Sequence, residues 1–214
     1  VGFQAGDAVT VASGSTFIGN DAGGTVTTGN QNIAIGYDAM NGGTTTGDSN
    51  IAIGQRAGDA LTSGYRNVLM GLEAGTGNNT GYNNTAMGVY ALAACTNGTE
   101  NTAIGMYALN NVGGSGYNTA VGYNCLGQSN GNSNSGLGLQ AMYSLTSGAD
   151  NTAIGYRAGR YYGASTGALA TANSCVYLGQ LARGNADSMT NEIVIGANAI
   201  GAGGSNTATI GDDN

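Results

Sequence analysis

The run Asn101-Thr102-Ala103-Ile104-Gly105 recurs unchanged at residues 151–155 and, with small changes, along most of the chain. Its last residue is an anchor glycine that follows an apolar side chain, and successive anchors are most often 17 residues apart. Internal periodicity of this length is typical of solenoids, in which each repeat stacks on the next. The anchors are Gly2, Gly19, Gly36, Gly54, Gly71, Gly88, Gly105, Gly122, Gly138, Gly155, Gly179, Gly196 and Gly211.

The residues before each anchor have the pattern of a short β-strand, because β-branched residues alternate with small ones. The positions three and one before the anchor share a face, as in Ile33 and Ile35, and we expect that face to form a narrow interior. The isoleucines predicted to be buried there are Ile35, Ile53, Ile104 and Ile154. An alanine follows the anchor by three residues in eleven of thirteen copies, which indicates a tight inner corner. Examples are Ala39, Ala57, Ala108 and Ala158.

An asparagine stands four residues before the anchor in eight consecutive copies, and stacking the copies predicts a ladder of side-chain amides. Its members are Asn32, Asn50, Asn67, Asn84, Asn101, Asn118, Asn134 and Asn151. These observations predict an all-β fold, a parallel β-solenoid or β-roll of about 13 coils of about 17 residues. Residues 1–214 form one repeat array, and the longer spacing between Gly155 and Gly179 predicts an inserted loop around 160–175.

The composition argues against several function classes. The chain has 41 glycines and no histidine, five basic and twelve acidic residues, and a net charge of −7. Scattered arginines and an acidic balance disfavour nucleic acid as a partner. No apolar run is long enough to span a bilayer. Without histidine there is no triad or histidine-based acid–base chemistry. We expect no enzyme activity, no cofactor and no metal: the three cysteines have no zinc spacing and the acidic doublet Asp212-Asp213 has no calcium-loop pattern.

The repeat resembles the Asn-Thr-Ala-Ile-Gly-Tyr-x-Ala-Leu arrays of phage tail-fibre and related bacterial fibre proteins. The matching segments are residues 101–109, 118–126 and 151–159. More distantly, it is similar to the Ala-Ile-Gly repeats of trimeric autotransporter adhesin heads, which form left-handed parallel β-rolls in trimers. The resemblance and the thin core together imply a homotrimer. Since the repeat is already running at Val1-Gly2 and still running at Ile210-Gly211, we expect an interior piece of a longer fibre with end-to-end neighbours.

Two groups of side chains are candidates for binding. Arginine beside paired tyrosines in the insertion suggests a sugar-stacking platform, although a tolerated surface insertion is the alternative. That group is Arg160, Tyr161 and Tyr162. Tyrosines at equivalent positions of adjacent coils predict stacked ladders, which could bind a ligand or merely stabilise the solenoid or pack between chains. They are Tyr65 with Tyr82, and Tyr90 with Tyr107.

The resulting hypothesis is a structural fibre segment that contributes to receptor or surface-glycan binding, as an extracellular phage tail fibre or cell-surface adhesin. The alternatives are a purely structural shaft or self-assembling filament, a solenoid polysaccharide depolymerase and an ice-binding protein. Asp21 and Asp38, equivalent in adjacent coils, are the carboxylate pair that a depolymerase would use. Ice binding would need an exposed threonine column, and we expect the column with Thr102 and Thr119 to face inward.

Overall fold

The computed structural model describes residues 1–163 and 167–211, and in these ranges the chain is all-β and contains no helix. Twelve three-residue strands form one sheet, and a two-strand hairpin interrupts the series after the ninth. The strands are β1 (Thr16–Ile18), β2 (Ile33–Ile35), β3 (Ile51–Ile53), β4 (Val68–Met70), β5 (Thr85–Met87), β6 (Thr102–Ile104), β7 (Thr119–Val121), β8 (Ser135–Leu137), β9 (Thr152–Ile154), β10 (Tyr161–Tyr162), β11 (Gly167–Ala168), β12 (Val176–Leu178), β13 (Ile193–Ile195) and β14 (Ala208–Ile210).

Each strand of the large sheet pairs in parallel with the equivalent strand of the next coil, without a register slip. In the middle of the rod, Thr102 pairs with Thr119 and Ala103 with Ala120. The hairpin is passed over, since β9 pairs directly with β12. The prediction of a parallel β-solenoid is therefore confirmed. Its twelve strands enclose eleven turns, slightly fewer than the thirteen coils that the anchors suggested.

The anchor glycine is required by both its conformation and its surroundings. Gly54 has φ 135°, and a Cβ added there would lie 2.4 Å from the carbonyl oxygen of Gly71, the anchor of the next coil. Residues other than glycine rarely adopt that φ. No choice of rotamer relieves a clash between Cβ and the backbone, because Cβ is fixed by the backbone itself. The glycine column thus lets consecutive coils approach closely where the chain leaves the strand.

The strand faces are the reverse of the predicted ones. The central residue of each strand points inward, as Ala34, Ala52 and Ala103 do, and these side chains are fully buried. Ile104 and Ile154 are 39% and 45% exposed, and the other two isoleucines, at positions 35 and 53, are only half-buried. The prediction that these four isoleucines fill the interior is wrong, because alternation along the strand places them on the side opposite the buried asparagine and the central alanine. The alanine corner is confirmed: Ala39, Ala57, Ala108 and Ala158 are all fully buried.

In several coils one large side chain fills the interior beside the strand, and it comes from one of two positions. In four coils with alanine at the centre of the strand, a leucine or methionine four residues after the anchor fills the space, as in Ala86 with Leu92. In two coils with a large residue at the centre, that second position is glycine, as in Leu69 with Gly75. A Cβ at Gly75 would lie 2.6 Å from the Cδ2 atom of Leu69, so the two positions compete for the same volume.

The asparagine column forms a continuous hydrogen-bonded ladder beside this apolar interior. Asn101 is 1% exposed, and both its backbone N–H and its Nδ2 donate to Oδ1 of Asn84, at 3.0 and 3.1 Å. Its own Oδ1 accepts the same pair of bonds from Asn118, and its Nδ2 also donates to the carbonyl oxygen of Ser115 at 2.9 Å. Each amide therefore satisfies buried donors and acceptors of two neighbouring coils. All eight predicted members take part: Asn32, Asn50, Asn67, Asn84, Asn101, Asn118, Asn134 and Asn151.

Replacing Asn101 with alanine should destabilise the rod by roughly 3 kcal/mol, because it leaves buried groups of Asn84, Ser115 and Asn118 without partners. Chemical denaturation of the two proteins measures this difference. Asn111→Ala is the matched control, since Asn111 is exposed and the change should alter the free energy of unfolding by less than about 0.5 kcal/mol. Equal effects of the two changes would contradict a structural role for the ladder.

Competition for one interior volume predicts that two damaging changes compensate each other. Leu69→Ala should cost about 3 kcal/mol through the cavity that it leaves. Gly75→Leu alone should destabilise by steric overlap with Leu69. Together they recreate the Ala86 and Leu92 arrangement, in which leucine already adopts φ 56°, so the double variant should recover more than half of the loss. Additive destabilisation in a double-mutant cycle would contradict a shared volume.

Candidate binding surfaces

Both predicted pairs of tyrosines are stacked, and each pair joins adjacent coils. The rings of Tyr65 and Tyr82 have centroids 4.9 Å apart and an interplanar angle of 5°. Those of Tyr90 and Tyr107 lie 5.3 Å apart at 1°. Tyr123 continues the second pair with an edge contact to Tyr107 at 6.3 Å. The ladders are therefore a structural fact, while their use in binding stays a prediction.

Tyr65 also lines a polar surface groove with a volume of about 510 Å³. Asp48 and Arg66 place opposite charges in this groove, and Gln31 and Ser49 add uncharged hydrogen-bonding groups. The residues Gln31, Ser49 and Arg66 occupy the same position, five before the anchor, and all have φ near 60°. Stacking of this left-handed corner brings them side by side. The sequence analysis missed the groove, although three polar residues in one column of adjacent coils were a usable signal.

The insertion near residue 160 contains a short antiparallel hairpin, with Tyr161 opposite Ala168 and Tyr162 opposite Gly167. The predicted loop also covers residues 164–166, which lie outside the described residues. The two tyrosines have different surroundings. The guanidinium of Arg160 lies 4.8 Å from the ring centroid of Tyr161, whereas Tyr162 packs against the apolar core. The structure therefore brings Arg160 and Tyr161 together and gives Tyr162 a packing contact.

The carboxylate pair considered for a depolymerase is already engaged locally. Asp38 accepts a hydrogen bond from Nδ2 of Asn41 at 3.0 Å, and Asp21 accepts one from Asn20. The neighbouring Arg56 is neutralised by Asp59 and Glu73, at 3.4 and 3.2 Å. Each acidic side chain of this edge therefore has a polar partner within the same or the adjacent coil.

The cysteines and one glutamate are buried. Burial raises the pKa of Cys95 to about 11 and that of Cys125 to about 12, which keeps both thiols protonated. Glu192 continues the asparagine column and is fully buried, where it accepts hydrogen bonds from Tyr177 Oη at 3.3 Å and Asn185 N at 3.4 Å. Burial raises the pKa of Glu192 too. Sequence reasoning missed this acid, although a charge in a column of amides was visible.

The outer face of the sheet forms an apolar band, which we call the outer stripe. It consists of the strand residues three and one positions before each anchor, and none of them is charged. Exposed members with large side chains have exposed fractions from 38% to 78%: Ile18, Met87, Ile104, Leu137, Ile154, Ile193 and Ile210. The position just after the anchor adds further exposed apolar side chains, including Tyr37, Met106, Tyr123, Leu139 and Tyr156.

The outer stripe includes the threonine column that we predicted to face inward. Thr119 is exposed, and Thr85, Thr102 and Thr152 are half-buried on the outer face. The stripe also contains a shallow apolar hollow of about 180 Å³ at β8, lined mainly by Val121, Leu137 and Ile154. The hollow lies where β8 reads Ser-Gly-Leu in place of the usual Thr-Ala-Ile.

Within residues 1–163 and 167–211, no cluster of three or more histidine, cysteine, aspartate or glutamate side chains could hold a metal ion. No helix in the same ranges is long and apolar enough to cross a membrane. No family model, curated protein or solved structure matches the chain.

Because all three thiols are buried, native protein should not react with Ellman's reagent at pH 8, whereas unfolded protein should release three equivalents per chain. Rapid labelling of native protein would contradict the buried positions.

The raised pKa values of two of these thiols also affect the stability of the protein at high pH. The folded pKa values of Cys95 and Cys125 lie above the ordinary value of 9.0, so the stability that these two protonated thiols contribute should be fully present below pH 9 and should be lost as the pH rises through the folded values. Chemical denaturation across this pH range measures the change.

Proposed function

We propose that this chain is a segment of a homotrimeric extracellular fibre, on a phage tail or a cell surface, which presents binding surfaces along its length. The observation that carries the proposal is the outer stripe. Twelve strands at about 4.8 Å extend about 53 Å, and two side-chain columns about 7 Å apart give an exposed area on the order of 500 Å². That is about as large as the largest apolar patch that an ordinary monomer exposes, before the position after the anchor is counted.

Another copy of the chain is the occupant that fits the stripe best. The stripe is uncharged and as long as the sheet itself, so a partner must also be a long, uncharged and regular surface. A second rod with the same repeat meets this requirement, and its strands have the same spacing. The hollow at β8 would receive a large side chain of another copy. The number three rests on the resemblance of the repeat to fibre and adhesin arrays.

Burying the stripe between copies would leave the charged and polar edges of the coils outside. The groove beside Tyr65 and the cluster around Arg160 lie on those edges, and three copies would repeat each of them. Repeated weak sites on one rigid object bind a repetitive ligand with high avidity, which suits a surface glycan. A purely structural shaft is the alternative in which these edges bind nothing.

One observation favours a second candidate, ice binding. The outward positions of Thr85, Thr102, Thr119 and Thr152 supply the exposed threonine column that this function needs. However, the same column carries isoleucine or valine in β2, β3, β4, β12 and β13, and aliphatic residues fill the neighbouring column throughout. Such a surface favours contact with protein over contact with water or ice.

The native mass tests the proposal. A homotrimer should have three times the chain mass of 21.0 kDa, about 63 kDa, by light scattering or native mass spectrometry. The double variant Ile104→Asp/Leu137→Asp should be monomeric, because it places charges in a desolvated interface. Both side chains are partly exposed in the single chain, at 39% and 48%, so the monomer should keep its β-sheet circular dichroism.

Asn111→Asp adds one such charge on an exposed site away from the stripe and should leave the trimer intact. A wild-type monomer at micromolar concentration would contradict the proposal. If that monomer also shapes ice crystals and produces thermal hysteresis, the stripe is an ice-binding surface instead.

A further inference from the structure

Two arginines of the last third of the rod converge on one edge. Gln140 and Arg157 both stand two residues after an anchor, and Tyr143 and Arg160 both stand five residues after the same two anchors. Because consecutive coils are in register at about 4.8 Å, these four residues form a two-by-two array on the surface. The backbone N–H of Arg157 donates to the carbonyl oxygen of Leu139 at 2.9 Å, which joins the two coils at this position.

The two guanidinium groups share a single acceptor, which carries no charge. Nε of Arg157 donates to Oε1 of Gln140 at 3.0 Å, and a terminal nitrogen of Arg160 donates to the same oxygen. A guanidinium has five N–H donors, so most donors of both groups are not used by Gln140. Among the described residues neither arginine forms a salt bridge, and Nε of Arg160 is buried without a partner.

Aromatic rings hold both cations in place. The guanidinium carbon of Arg157 lies 4.9 Å from the ring centroid of Tyr156, and that of Arg160 lies 5.1 Å from Tyr143 and 4.8 Å from Tyr161. A ring that packs on the flat face of a guanidinium leaves the N–H groups at its edge free to donate. The array therefore combines fixed positive charge, unused donors and tyrosine rings.

Arg56 provides an internal comparison, because it occupies the same position of its coil as Arg157. There, the residue five after the anchor is Asp59. In the next coil, Glu73 occupies the position of Arg56 itself, two residues after the anchor, and both acids bind Arg56. In the coil of Arg157 the first of these positions is Arg160, and the second is Leu181. Arg56 therefore has a carboxylate at both neighbouring positions, whereas Arg157 has a carboxylate at neither.

We infer that this arginine–tyrosine array binds the carboxylate of an acidic sugar, a uronic acid in a surface polysaccharide. A carboxylate can take paired hydrogen bonds from a guanidinium edge and would supply the charge that Gln140 lacks. The pyranose ring can pack on an adjacent tyrosine. The net charge of −7 disfavours indiscriminate binding of polyanions, so a sugar contact is needed in addition to charge. This inference rests on the proposed glycan-binding function and names its ligand class.

Isothermal titration with tetragalacturonate tests the inference, and the methyl ester of the same oligosaccharide is the neutral control. Wild-type protein should bind the acid form, and the ester should bind at least about tenfold more weakly, since charge-assisted hydrogen bonds are lost. Arg157→Gln and Arg160→Gln should each weaken binding of the acid about tenfold. Arg56→Gln is the matched control and should bind as the wild type does. Higher salt should weaken binding to the wild type.

Several outcomes would overturn the inference: no binding of tetragalacturonate, equal binding of its ester, or an affinity unchanged by both substitutions. Full competition by inorganic sulfate at equal concentration would replace the sugar site with a general anion site. If a glutamine variant unfolds, Arg157→Lys keeps the charge but loses the paired donors, and it should still bind more weakly. The native mass of the same samples separates the two proposals, because a trimer that binds no uronate contradicts only this one.

Discussion

Backbone hydrogen bonds join each coil to the coils before and after it, and the anchor glycines bring neighbouring backbones into direct contact. As a result, the space between the strand and the opposite turn is small, and in several coils one large side chain fills it. That limit explains the exchange between Leu69 with Gly75 and Ala86 with Leu92. It also explains why most of the buried polar residues are asparagines: an amide can bond to the coils on both sides while occupying little volume.

The same limit sends most large apolar side chains of the strands outward. A broader domain would bury Ile104 and Leu137 under a second layer, but one chain of this fold has no second layer to offer. In the proposed homotrimer, their burial would add hydrophobic stabilisation on association that folding of the single chain does not provide. The rod can fold around its alanines, leucines and amides, and in the proposed assembly the outer stripe is covered by another copy of the chain.

The sequence predicted the period, the parallel register, the alanine corner, the amide ladder and the stacked tyrosines, because each follows from a residue type repeated at one position. It misled us about the strand face. We assigned the largest apolar residues to the interior, which is sound for a wide core but not for a coil in which the inward positions are the asparagine and the small central residue. The occurrence of Gly75 where the centre of the strand is the large Leu69 was the feature of the sequence that could have revealed the inward face. The arginine–tyrosine array around Gln140 was not predicted, because it depends on side chains of two coils and its contacts are not visible in any single column of the repeat.

The in-register stacking also bears on how such a chain can change over evolution. A coil contacts the coil before it and the coil after it, and the eight coils of the asparagine ladder offer the same amide and the same anchor glycine to their neighbours. Duplicating a gene segment that encodes one whole coil would lengthen the rod by about 4.8 Å without creating a new type of contact. Insertion of a single residue would shift every later amide away from its partner unless a turn absorbed it. Length can therefore vary in whole coils, while the surface residues of each coil diverge toward separate ligands.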